Sequence, residues 1–236
     1  MRTTLLLAFV AACASHAAPA PTTPAAQPKP VAEKPQPFSE RIRQDFFDGM
    51  RGDKAAMDRA VKLCDDTLAK NPDEPEALVW HGAAVEAQAQ AAFAKGDQQT
   101  GVALYMKGLA EMDRAVSLAP QSVGVRIPRG AVMLAMAPHA PGPQQKELAE
   151  RGIADYEATL NEQSAYFASL SLHSREQLLY GLTDGYAMLG QTDKARATYE
   201  RMRHDAAGSE LLTRAAERAA GHTVSGNTPC EQCHAR

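Results

Sequence analysis

The chain has 236 residues, a formal net charge of −3, 44% hydrophobic residues, 6% aromatics and 22% charged residues. That length fits one elongated domain or one domain with tails, and the Ala-rich, aromatic-poor composition suits packed helices rather than an all-β fold. The near-neutral charge carries no electrostatic footprint for nucleic acid, and no apolar run approaches the roughly 20 residues of a membrane-spanning helix.

Residues 1–20, MRTTLLLAFVAACASHAAPA, have the outline of an export signal. Arg2 supplies a positive start, Leu5–Ala12 a short apolar core, and small residues follow. Val10-Ala11-Ala12-Cys13 resembles a bacterial lipoprotein box. That resemblance implies acylation of Cys13 and membrane attachment through the lipid. The alternative is an ordinary signal peptide cut at a later Ala, with Cys13 discarded. Either way the expected location is exported, periplasmic or lipid-anchored in a bacterial cell envelope. Residues 21–37 are a Pro/Ala/Thr/Lys tract without apolar periodicity. Frequent Pro blocks helix and sheet ladders, so this tract reads as an extended tether.

From Phe38 to Gly221 the pattern is helical. Ser39 is placed to cap a first helix to about Arg51, with Phe46, Phe47 and Met50 on its apolar side. Gly52-Asp53 turns into a second helix carrying Met57, Ala60, Val61, Cys64 and Leu68, closed by Asn71-Pro72. Pro75 suits the first turn of a third, with Leu78, Val85 and Phe93 inward before Gly96-Asp97. A fourth spans about Thr100–Ala119 with Leu104, Leu109, Met112, Val116 and Leu118, and stops at Pro120. Pro72 and Pro120, and likewise Gly82 and Gly130, are each separated by 48 residues, which marks an internal repeat. Residues 122–136 form a fifth helix that Pro128 kinks or delays, and 144–160 a sixth. Cys64 falls on an apolar helix side as an inert thiol. Trp80 and His81 read as helix packing, and Met106, Met112, Met133 and Met136 as core filler.

After a polar bridge, Ser174 and Gln177 make a capping-box pattern. Leu179, Leu182, Tyr186 and Leu189 then share one helix face. Gly190 stops that helix, and Thr192 is placed to cap another with Ala195, Tyr199 and Met202 on one side. Two such helices around a tight turn cannot bury both apolar stripes alone and need neighbours of the same kind. This stretch resembles the tetratricopeptide repeat family: Leu182, Tyr186, Gly190, Ala195 and Tyr199 occupy its signature positions, while Thr183 stands where the pattern has Gly. The family period is roughly 34 residues, so the 48-residue offset implies longer helices in each unit. The resemblance implies an all-α solenoid of about four hairpins with a capping helix, here from Ser209 to Ala220, and flexible N- and C-terminal tails. It also implies a groove that binds an extended protein or peptide partner, lined by Tyr180 and Asp184 in the last hairpin and by Glu76 and Val79 in an earlier one.

Residues 222–236 carry the one chemical motif, Cys230-Glu231-Gln232-Cys233-His234. This C-x-x-C-H string resembles the haem-attachment motif of c-type cytochromes. On a helical turn the two thiols lie on one side to form thioethers with the haem vinyls, and His234 offers its imidazole as the iron ligand. Thr228, Pro229 and Glu231 encourage such a turn. The same residues also admit a disulfide, or half of a zinc site that wants about four ligands, or no role at all. No phosphate loop, nucleophile elbow, zinc-protease motif or framed carboxylate pair occurs, which points away from an enzyme. Two functional expectations follow. One is an exported repeat scaffold with a single haem c, working in electron transfer or redox-partner docking. The other is a repeat lipoprotein without haem that acts only as a cell-envelope binding module.

Overall fold

The computed structural model describes residues 36–222, which fold into one unit built of helices without a strand among the described residues. The helices are α1 (Phe38–Met50), α2 (Lys54–Leu68), α3 (Pro75–Ala94), α4 (Gln98–Leu118), α5 (Val123–Met136), α6 (Gly142–Glu162), α7 (Leu172–Met188), α8 (Thr192–Asp205) and α9 (Leu212–Ala219). Short 3-10 turns occupy Ala137–His139 and Ser164–Ser169.

Local chemistry sets most of the boundaries. Asp53 caps α2 by accepting the Ala56 N–H at 3.1 Å, and Asp97 caps α4 through the Thr100 N–H at 3.1 Å. Pro75 fills the first turn of α3, where Glu74 accepts the Ala77 N–H. The turns after α3 and α7 share one closure. Gly96 and Gly190 take φ of 79° and 67°, which costs a residue without Cβ little. The next N–H then reaches back five residues, Asp97 to Ala92 at 3.0 Å and Gln191 to Tyr186 at 2.9 Å.

Four expected caps fall elsewhere. Ser39 lies inside α1, which starts after Pro37, and its N–H donates to the Glu76 carboxylate at 3.0 Å. Ser171, not Ser174, caps α7, accepting the Ser174 N–H at 3.1 Å. Thr192 is the first residue of α8, preceded by Gln191. Ser209 precedes α9 by three residues and accepts the Leu211 N–H at 3.0 Å. Pro128 sits within α5 and the helix runs through it, so the Gly124 carbonyl forgoes one i→i+4 bond.

The helices pair in order as antiparallel hairpins, α1/α2, α3/α4, α5/α6 and α7/α8, each handing on to the next through α2–α3, α4–α5, α6–α7 and α8–α9. The first helices also touch one another, α1–α3, α3–α5, α5–α7 and α7–α9, so they form a continuous layer. One apolar core threads the layer, from Phe38 through Trp80, Met112, Met133, Tyr156 and Leu182 to Ala215. Trp80 meets Phe46 and Phe47 edge-on at 5.0 and 6.2 Å, a geometry aromatic rings favour. The residues in phase at 48, Gly82 and Gly130, mark the crossings of two hairpins. A Cβ on Gly82 would lie 2.7 Å from the Gly108 carbonyl oxygen, and one on Gly130 3.2 Å from the Gly152 carbonyl oxygen. Three residues expected inside face solvent instead, Met50, Met106 and Leu118.

Candidate functional site

Cys13, Cys230, Cys233 and His234 lie outside the described residues. The expected groove residues lie within them. Tyr180 is 2% exposed, and Asp184, its side chain 17% exposed, lies against α9, where Arg218 donates from Nε to its carboxylate. Burial pushes the Asp184 pKa up, opposed by the charges of Arg218 and Arg214. Val79 is fully buried, and Glu76 is engaged by the Ser39 N–H. The capping helix therefore closes the position that a further hairpin would occupy.

The most concentrated charge in the interior is absent from the sequence-based expectations. Asp155 on α6 is fully buried and accepts from Arg126 Nη1 at 2.7 Å, Arg129 Nε at 2.7 Å and Arg129 Nη2 at 2.8 Å. Arg129 continues to Asp113 on α4 at 3.0 Å, and Asp113 also accepts from Arg151. Burial lowers the Arg129 pKa, but the hydrogen bond and charge of Asp155 and the charge of Asp113 raise it further, so the net shift is upward. Five charged groups thus tie α4, α5 and α6 together. Three arginines share two aspartates, and Arg151 also stands 3.8 Å from Glu147, so every charge has a counter-charge, which suits structure rather than chemistry. Nothing in the sequence pairs residues 26 and 29 positions apart without knowledge of the hairpin.

A second polar group lies between α2, α3 and α4. His81 Nδ1 is 2.6 Å from Glu111 Oε2, and its Nε2 is 3.5 Å from Asp65. Cys64 on the same side is buried, and burial pushes its thiol up to about 12, so it stays protonated and unreactive. Among the described residues no cluster of three or more His, Cys, Asp or Glu is placed to hold a metal ion. Further along α3, burial raises the pKa of Glu86, offset in part by the Gln90 amide that donates to it at 2.6 Å. The native state therefore holds this proton to higher pH than the unfolded chain, and stability falls as pH rises through the carboxylate range. Glu86→Gln is expected to raise stability at neutral pH and to lose that gain on acidification. Urea melts of both proteins at several pH values check the sign.

An open cleft of ≈ 520 Å³ runs between α6, α7 and α8 and is lined by Glu157, Leu160, Leu179, Leu182, Tyr186 and Arg201. Tyr186 Oη donates to Glu157 Oε1 at 2.5 Å. Burial first, then Glu157, raises the Tyr186 pKa, so the hydroxyl stays protonated as a donor. Lys194 Nζ stands 5.0 Å from the Tyr186 ring centre, and Arg201 lies 4.7 Å from that of Phe167. The cleft offers an apolar floor with one carboxylate and one guanidinium at its rim.

No described helix is long and apolar enough to cross a membrane. No family model matches this chain, no curated protein matches it, and no solved structure matches it.

Proposed function

We propose that this chain is an exported, non-enzymatic scaffold of tetratricopeptide type that carries one covalent haem c at its C-terminal motif and serves electron transfer or the docking of a redox partner. The observation that carries the reading is the string Cys230-Glu231-Gln232-Cys233-His234 in a chain that opens with an export signal. The donor set fits the group. Cys230 and Cys233, three apart, would hold it through thioethers, and His234 would bind the iron through its imidazole. Bound haem supplies one-electron exchange. Export is consistent with this chemistry, because disulfide-permissive compartments are also where covalent haem attachment takes place. Cys13, if acylated, would tether the scaffold to a membrane through the Pro-rich linker.

The repeat reading is supported by successive hairpins whose first helices lie side by side, and by the in-phase glycines at their crossings. The partner surface is then the cleft at Glu157, Tyr186 and Arg201 rather than Tyr180 and Asp184, which α9 covers.

Haem staining of the denatured protein tests the proposal, after export from a bacterial host with the cytochrome c attachment machinery. The wild type is expected to retain stain through denaturation, and the Cys230→Ala/Cys233→Ala variant to lose it. A folded, exported wild type without stain overturns the haem reading and leaves a binding-module lipoprotein.

A further inference from the structure

The chain leaves α9 by the closure that also ends α3 and α7. Gly221 takes φ of 83°, and the His222 N–H reaches back five residues to the Glu217 carbonyl at 2.9 Å. Arg218, whose Nε holds Asp184, donates from Nη1 to the His222 carbonyl at 3.4 Å. The N–H and the carbonyl of His222 are thus both held, while its imidazole stands exposed and makes no hydrogen bond or ion pair among the described residues. The other histidines are placed differently. His81 is buried between Glu111 and Asp65, and His173 faces Glu176 at 3.5 Å. His204 faces Asp205 at 2.6 Å and lies at the opposite end of the layer. There Arg201 stands over Phe167, before α7 starts, whereas Arg218 meets Asp184, twelve residues beyond the first of α7. Twelve helical residues span about 18 Å. His139 is exposed at the end where His222 stands, since Leu134 comes level with Gly185. It belongs to the α5/α6 turn, however, and α7 lies between α5 and α9. Two spacings between packed axes put it about 16–20 Å away. Met202 is fully buried.

We infer that His222 is the second axial ligand of the iron that His234 would bind, an assignment that rests on the haem reading. With His234 on one face of the macrocycle, the axial position on the other face is open. A neutral imidazole fills it with the lone pair of one ring nitrogen. His222 precedes Cys230 by eight positions and His234 by twelve. Eight residues reach at most about 28 Å, enough to pass round the edge of one macrocycle. A tether of this length also keeps the ring at an effective concentration of order millimolar. No histidine of a second molecule matches that at micromolar protein. Residues 223–229 carry no charge, so they lose little hydration beside an apolar ring. They include Ser225, Gly226 and Asn227, residue types that turn a chain. Because the end of α9 already orders the His222 backbone, ligation there costs chiefly the rotamer freedom of its side chain. An iron closed by imidazole on both faces passes electrons without taking up a small ligand, which favours electron transfer over ligand binding.

Visible absorption and electron paramagnetic resonance of the oxidised, haem-loaded full chain test the assignment, with haem staining after denaturation run in parallel. The wild type is expected to show low-spin iron at every protein concentration. His222→Ala is expected to keep its stain, because the thioethers are untouched, and its thermal melt, because the imidazole makes no polar contact in the fold. It is expected to exchange the low-spin signal for a high-spin one, and added imidazole to restore the first. His139→Ala and His204→Ala are expected to stay low-spin. A stained wild type that is high-spin, or a His222→Ala chain that stays low-spin, overturns the assignment and leaves the haem reading standing. So does a low-spin signal that fades on dilution, since the ligand then comes from another molecule. A folded, exported chain without stain overturns the haem reading, and the assignment falls with it.

Discussion

Asp155→Ala is expected to destabilise the repeat unit by about 3–5 kcal/mol, one of the two largest effects expected of any single substitution in the chain. The fully buried carboxylate holds Arg126 and Arg129, whose side chains are only 17% and 12% exposed. Its removal leaves two guanidinium groups facing each other in a site that water barely reaches. The cost lies mostly in those stranded charges rather than in the lost bonds. A triple variant, Asp155→Ala with Arg126→Met and Arg129→Met, is accordingly expected to recover much of the loss, because apolar side chains of similar length need no counter-charge. Denaturant unfolding of the three proteins measures both steps. A loss below about 1 kcal/mol for Asp155→Ala, the range of an exposed pair, would show that water reaches the triad.

Gly82→Val is the second. Here α3 and α4 cross so closely that the first added carbon would stand 2.7 Å from the Gly108 carbonyl oxygen and 2.9 Å from Met112 Cγ. The Met112 side chain is flexible, but the carbonyl belongs to a helix backbone, so the helices themselves must part. Because α3 packs on α1, α2 and α5 as well, parting disturbs three neighbours. The expected cost is at the upper end of the about 1–3 kcal/mol that overpacking brings, and thermal unfolding measures it. Gly142→Ala is the control, since nothing lies within 4 Å of a Cβ there. It is expected to be neutral. Equal effects at the two positions would mean that helix propensity, not the crossing, decides.

Much of the helical frame was legible along the chain because its causes are local. Pro72 and Pro120 end helices by lacking an N–H, and Gly96-Asp97 and Gly190 end or start them through the backbone itself. The cap residues were less legible. Ser171 and Ser174 both satisfy the chemistry of an N-cap, and the sequence does not separate positions three residues apart, whereas the structure shows Ser171 in the role. The 48-residue offset pointed to a repeat, and the glycines that define it are the points where one hairpin helix crosses the other. The exposure of Met106 was not legible, because apolar spacing reads the same whether or not a neighbour arrives to cover it.

The sequence by itself determined that this is an all-α chain with helices of these lengths. It determined too that a C-x-x-C-H string stands at residues 230–234. Those features rest on residue type and on spacings of one to four residues, which short-range sterics and chemistry specify. The tertiary structure alone decided that α9 covers Tyr180 and Asp184, that Asp155 meets two arginines 26 and 29 positions away, and that Gly82 touches Gly108. Each of these depends on how far one hairpin is rotated against the next. That rotation minimises exposed apolar area over the whole layer, and no window of a few residues contains it.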